Sequence, residues 1–305
     1  MKPKIVVIVG PTASGKTKLS IELAKKIDGE VVSCDSMQIY KEMDIGSAKP
    51  TIEEMQGIKH HLIDYISPEE RYSVARYKQD AKKAIKEILE KGKVPIIVGG
   101  TGLYVNSLIY EIEYNKIEFD AEYREKLEEK AKKGLEDLYE EAKKIDPKAM
   151  EIISPNDKKR IIRVLEIYHA TKKTKTELEI ESRKNEVQYD YRVFAIDIRR
   201  DILYDRINKR VDKMIEQGLI QEVENLKQKY SEFPTAMQGL GYKEVVQYFE
   251  NELTKEEMIE KIKQETRRYA KRQLTWFRKN KETIWLNGLD DVQKNTDIIC
   301  DNLKK

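Results

Sequence analysis

Eight consecutive residues near the start of the chain have the types and spacing to hold a phosphate. Gly10, Pro11, Thr12, Ala13, Ser14, Gly15, Lys16 and Thr17 fit G-x-x-x-x-G-K-[ST] in full. They follow the β-branched run Lys4 to Val9 and open a segment of helical spacing, the context that gives the motif its meaning. The N–H groups of such a loop, with a helix N-terminus behind them, form a concave anion site. Lys16 adds a point charge, and Thr17 offers a hydroxyl to Mg²⁺. The expected ligand is a magnesium-bound di- or triphosphate.

Other residues narrow the chemistry. An ATPase or GTPase places an Asp at the end of a later strand to hold its metal. Here the apolar run Val94 to Val98 ends in Gly99, Gly100, Thr101 and Gly102. No D-x-x-G occurs, and Asn208-Lys209 continues as Arg210-Val211, so the guanine motif fails. A motor or switch is disfavoured. Gly100-Thr101-Gly102 also lacks the third glycine of a dinucleotide fingerprint.

Asp35 follows a second β-branched run. In a doubly wound sheet the carboxyl ends of the strands line the ligand crevice, so Asp35 and the phosphate loop are expected to face one cleft. A carboxylate there can act as general base toward a nucleophile attacking the phosphate ligand. The plainer alternative is an Asp that caps a helix or turn. Thr101, with the N–H groups of Gly100 and Gly102, is a further candidate to hold an oxygen. His60 and His61 would point to opposite faces of a strand, which is poor metal geometry, and His169 stands alone. Cys34 reads as a small buried residue, and two cysteines make neither a disulfide framework nor a thiolate zinc site.

The elements that must position these groups follow from periodicity. Strands are expected at Lys4 to Val9, Val31 to Cys34 and Val94 to Val98, with helices at Lys16 to Ile27, Val74 to Leu89 and Gly102 to Ile109. Strand–helix alternation with fully apolar runs argues for an α/β fold with a parallel sheet, a phosphate-loop NTPase-like core. The character changes near Glu111. Residues 112–190 are highly charged with helical spacing and read as a helical insertion domain between core segments 1–111 and 191–305. Tyr191 to Ile198 returns to strand character, and a helical C-terminal part follows. Thr254 with Glu257 fits a capping box that opens a helix running to about Asn280.

Of 305 residues, 37% are charged and 39% hydrophobic, enough for a real core. No apolar run approaches the ~18–20 residues of a membrane span, and Ile5 to Val9 is shorter than the ~7–15-residue core of a signal peptide. A cytoplasmic protein is expected. Net charge is only +3, but its placement is uneven. Lys158 to Lys175 holds seven basic residues and one acid, and Lys261 to Lys281 holds nine and one. Charge runs are usually solvated helix faces, yet two such segments in one chain point toward a polyanion partner.

Together these residues carry a family pattern. The chain resembles the bacterial tRNA dimethylallyltransferases, also called tRNA isopentenyltransferases. Matching blocks are GPTASGKT at 10–17, VVSCDSMQIY at 31–40, IGSAKP at 45–50, HHLID at 60–64 and VGGTGLY at 98–104. They continue with PNDKKRIIRVLEIY at 155–168, RINKRVDKMIEQGLIQEV at 206–223, AMQGLGYKE at 236–244 and TRRYAKRQLTWFR at 266–278.

The resemblance implies transfer of a dimethylallyl group from dimethylallyl diphosphate to N6 of the adenosine beside the anticodon, adenosine 37 of tRNA. It assigns residues Gly10 to Thr17 to the donor's diphosphate, with Lys16 as a catalytic cation and Thr17 as a ligand of Mg²⁺. It makes Asp35 the base and puts Thr101 near the reacting groups. Asp35, Ser36, Met37, Gln38, Thr101 and Arg124 fall where the family contacts tRNA, as do Lys159, Arg160, Ile161, Ile162 and Arg163. Arg206, with Arg210 as the alternative, falls where an arginine grips the diphosphate. A monomer is expected. Three other readings stay open: a small-molecule kinase, a non-catalytic tRNA-binding module, and a prenyltransferase of free adenine nucleotides.

Overall fold

The computed structural model describes residues 2–112, 120–182 and 186–304. Six strands form one parallel sheet: β1 (Lys4–Val9), β2 (Gly29–Ser33), β3 (His60–His61), β4 (Val94–Gly99), β5 (Asp190–Asp197) and β6 (Ile284–Asn287). Their order is β3-β2-β4-β1-β5-β6. Residues Ile5 to Val9 of β1 are fully buried, as a central parallel strand covered on both faces demands. Burying each such side chain contributes about 1.5–3 kcal/mol.

Register decides where the chemistry gathers. Val9 stands beside Gly99 on one side and Ala195 on the other, and Ser33 stands beside Val98. The carboxyl ends of β1, β2 and β4 therefore finish level at one edge of the sheet. The phosphate loop, Asp35 and Thr101 all follow directly from those ends.

The first helix, Lys16–Ile27, opens at Gly15, whose φ of +89° favours glycine. It packs Leu19 and Leu23 onto the sheet and closes with Lys25 and Lys26, which complement the dipole at its C-terminal end. The second strand begins at Gly29, two residues before the β-branched run, because its ladder with β4 starts at Gly29 opposite Val94. The long helix Lys255–Phe277 opens on the expected capping box of Thr254 and Glu257 and ends three residues short of Asn280.

The described chain divides into two compact units, Met1–Val105 with Gln188–Lys305, and Asn106–Val187. The second unit is helical. Asp120 and Asp157 cap the helices Ala121–Lys133 and Lys158–Thr171. Leu127, Leu138, Ala142, Met150 and Leu165 form its core. Among the described residues, no helix is long and apolar enough to cross a membrane.

Candidate active site

The phosphate loop is tied inward by its own lysine. Lys16 Nζ donates to the carbonyls of Gly10 at 3.0 Å and Pro11 at 2.7 Å. Loss of hydration, reinforced by nearby Arg210 and opposed by Asp35, pulls its pKa from 10.5 down to about 8. Ser14 is buried, and its hydroxyl finds no partner among the described residues. An orphan hydroxyl inside such a loop suits a bound oxyanion. Thr17 is exposed and presents a hard oxygen to the cavity, the kind of ligand Mg²⁺ accepts beside phosphate oxygens and water.

Asp35 is half-buried just past β2. Its Oδ1 accepts from the N–H groups of Met37 at 2.9 Å and Gln38 at 3.4 Å, so it does form a turn. It also lines the same cavity as Lys16, and the two roles are compatible because a carboxylate has four acceptor positions. Cys34 beside it is fully buried, and burial pushes its thiol up to about 12, so it stays protonated.

Thr101 is not among the residues that line the cavity, whereas Gly99, Gly100, Ser36 and Tyr269 are. Its hydroxyl accepts from the Ser36 N–H at 3.1 Å, and its own N–H donates to the Cys34 carbonyl at 3.2 Å. It thus fastens the loop after β4 to the segment that carries Asp35. Ser36, Met37 and Gln38 line the cavity. The Gln38 amide donates to the carbonyls of Ser47 at 3.3 Å and Ala48 at 3.0 Å. That loop is anchored in turn by Glu222, whose carboxylate accepts from the N–H groups of Asp44, Ile45 and Gly46 at 2.9, 2.7 and 3.1 Å.

The cavity holds about 720 Å³ and lies wholly within the sheet-bearing unit. Lys16, Lys18, Arg210, Lys243 and Arg272 line it against Glu22, Asp35 and Glu54, an excess of positive charge suited to a multiply charged anion. Ile21, Met214, Leu240 and Ile262 supply apolar wall. Of the two candidate arginines, Arg210 lines the cavity and its Nη1 reaches the Thr12 hydroxyl at 3.4 Å. Arg206 lies one turn earlier on the helix Arg200–Glu216, half-buried and outside the cavity lining.

A family model described as IPP transferase matches residues 38–280. The tRNA dimethylallyltransferase of Acetivibrio thermocellus is 54% identical over 302 residues, covering 98% of this chain and 96% of that protein. The chain belongs to the tRNA dimethylallyltransferase family. The tRNA dimethylallyltransferase of Carboxydothermus hydrogenoformans is 50% identical over 301 residues, 98% of this chain and 97% of its own. Two solved structures are similar throughout. The full-length tRNA isopentenylpyrophosphate transferase of Bacillus halodurans has a TM-score of 0.75 at 43% identity, covering 99% of this chain and 97% of its own. A eukaryotic dimethylallyltransferase described as acting on tRNA has a TM-score of 0.84 at 32% identity, covering 99% and 80%.

Members of the tRNA dimethylallyltransferase family prenylate tRNA, and the helical unit holds five residues that the sequence grouped as one RNA-facing stretch. They do not act alike here. Lys159, Arg160 and Arg163 are exposed on the helix Lys158–Thr171. Ile161 and Ile162 are fully buried in the core of the unit. Helical spacing turns these two inward, into the packing beneath the exposed Lys159, Arg160 and Arg163. Arg124 is held by the buried Glu166 at 3.0 Å, which also lies 3.4 Å from Arg163. The histidine rings bond elsewhere: His60 donates to the Ile58 carbonyl at 2.9 Å, and His61 lies 2.7 Å from Glu30.

The residue that sequence reasoning missed is Gln273. It is buried, accepts from the Thr12 N–H at 3.1 Å and donates to the Gly100 carbonyl at 2.9 Å. A polar residue within the apolar row Met258, Ile262, Ala270, Phe277 was the available signal.

Proposed function

We propose that this enzyme transfers the dimethylallyl group of dimethylallyl diphosphate to N6 of adenosine 37 in tRNA, releasing diphosphate. The observation that carries the reading is that Asp35 and Lys16 line one cavity of mixed cationic and apolar wall. The N6 lone pair of adenine is delocalised into the ring and is a weak nucleophile. Asp35 accepts the N6 proton as the new C–N bond forms and the donor's C–O bond breaks. A general base of this kind contributes about 10²–10⁴-fold.

Diphosphate leaves well only when its charge is offset. The loop N–H groups, Lys16 and Arg210 serve that end. Thr17 is the residue to hold Mg²⁺, which supplies further neutralisation of the leaving group when bound. The absence of a metal-holding Asp after β4 fits, because no phosphoryl group is transferred and no water must be aligned. The apolar residues Ile21, Met214 and Leu240 suit a prenyl tail. The adenine must leave its stack to enter, so base flipping is expected. Lys159, Arg160, Arg163 and the basic positions of the long helix suit the phosphates of an anticodon stem-loop. A monomer acting on tRNA in the cytoplasm completes the reading.

The test is direct. Purified protein is incubated with Mg²⁺, dimethylallyl diphosphate and an unmodified tRNA bearing adenosine beside its anticodon, and the digested nucleosides are weighed. Prenylated adenosine from tRNA is the expected product. Prenylated AMP in a parallel lane, or ATP consumed instead, would replace this reading with the free-nucleotide or kinase one.

A further inference from the structure

We propose that Gln273 is a positioning residue for prenyl transfer: its amide locks the phosphate loop to the loop after β4, so that donor and base meet in fixed geometry. The inference rests on the donor site proposed above. The ladder between β1 and β4 is registered only as far as Val9 opposite Gly99. Thr12 and Gly100 lie beyond it, where no strand pairing holds the two loops together. The Gln273 side chain, arriving from the long helix, takes over: its Oε1 accepts from the Thr12 N–H at 3.1 Å, and its Nε2 donates to the Gly100 carbonyl at 2.9 Å.

The residue type follows from the task. One loop offers a donor and the other an acceptor, and only a primary amide of this length answers both from one rigid plane. A glutamate would set an oxygen against the Gly100 carbonyl, and a leucine would leave two polar groups unpaired. Gly100 is matched to it. A Cβ there would lie 2.1 Å from Gln273 Nε2, so the glycine leaves the room that the amide occupies.

The lock reaches the base through one further pair of bonds. Thr101, next to Gly100, donates its N–H to the carbonyl of Cys34, next to Asp35, and its hydroxyl accepts from Ser36. Tyr269 and Arg272 of the same helix line the cavity, so one helix contributes both wall and brace. Gln273 thereby spans the two halves of the chemistry, diphosphate and proton acceptor.

The experiment uses the full chain with dimethylallyl diphosphate and unmodified tRNA, and compares Gln273→Glu, Gln273→Ala, Gly100→Ala and the double variant Gly100→Ala/Gln273→Ala. The expected result is that Gln273→Glu and Gln273→Ala lower kcat/KM for the donor by roughly 10–100-fold, the scale of an ~1 Å misplacement, while KM for tRNA moves by less than about twofold. Gly100→Ala alone is expected to match that loss, and to add little once Gln273 is Ala, because the added methyl then meets no amide. A purely structural role predicts a lower melting temperature with donor kcat/KM per folded molecule unchanged, and that result overturns the proposal. So does a Gly100→Ala cost that is the same in both backgrounds. If Gln273→Ala fails to fold, the near-isosteric Gln273→Glu decides alone. Wild type that makes no prenylated tRNA refutes the donor-site reading itself, whereas active wild type with active Gln273→Glu refutes only the lock.

Discussion

The Lys16 ammonium donates to the Pro11 carbonyl at 2.7 Å, so the cation proposed to meet the diphosphate is already drawn inside its own loop. A cation under-hydrated in this way loses its proton early, and its pKa is about 8 where 10.5 is ordinary. Below about 8 the group is charged, and above it the charge is lost. The kcat/KM for dimethylallyl diphosphate is therefore expected to be flat at neutral pH and to fall about tenfold per unit on the alkaline side, since kcat/KM reports the free enzyme. Stability moves the other way. The unfolded chain still binds this proton between about 8 and 10.5 while the folded one does not, so this group makes folding more favourable as pH rises across that window. A pH profile of Lys16→Arg, whose guanidinium does not titrate, should lack the alkaline limb. Retention of the limb would assign it to another group.

Asp35 holds its turn with one oxygen, and Asn can do the same. Asp35→Asn is expected to keep the N–H bonds from Met37 and Gln38 and to melt within a few degrees of wild type. It should lose about 10²–10⁴-fold in kcat, the usual worth of a general base. Single-turnover rates with saturating donor and tRNA check this. A kcat within tenfold of wild type would remove Asp35 from the role of base.

The two arginines of one helix separate by position. Arg210 lines the cavity and contacts Thr12, whereas Arg206 stands outside it. Arg210→Ala is expected to raise KM for dimethylallyl diphosphate by at least about tenfold, since a hydrogen bond to a charged group is worth about 1.5–3 kcal/mol. Arg206→Ala should raise it by less than about threefold. Equal effects would show that the cavity alone does not select the gripping residue.

In the helical unit, adjacent residues should report different physics. Ile162→Ala is expected to cost about 2–5 kcal/mol of stability in chemical denaturation, as core truncations do, with tRNA affinity per folded molecule unchanged. Lys159→Ala should leave the melting temperature alone and reduce the salt slope of tRNA binding by about 0.7–0.9. A salt slope that does not move would take Lys159 out of phosphate contact.

Much of the frame was legible in the primary structure, and the limits of that reading are physical. β1 and the helix Lys16–Ile27 lie where a buried β-branched run and a glycine-lysine turn put them. The capping box at Thr254 is visible because both its partners sit three residues apart. Arg206 and Arg210 could not be ranked, because residues four apart share a helix face and only the third dimension sets one against the loop. Ile161 and Ile162 were grouped with their basic neighbours because a contiguous motif hides the helix's rotation. Gln273 escaped because its partners, Thr12 and Gly100, are 261 and 173 residues away in the chain. A long-range polar bridge leaves no periodicity to read.

That separation has a bearing on how the protein is made. The phosphate loop, complete at Thr17, is synthesised long before some of the residues that pack against it. Its neighbour strand β5 and the bracing helix are translated far later, and at about 5–20 residues per second the wait is on the order of tens of seconds. During that interval β1, apolar on both faces, has one flank without a strand to pair with. A strand left in that condition is a template for other chains, so this enzyme's folding should depend on holdase chaperones until β5 has emerged. The proposed donor site is thus completed late in synthesis, and nascent chains stalled before the long helix are expected to carry an intact motif that cannot work.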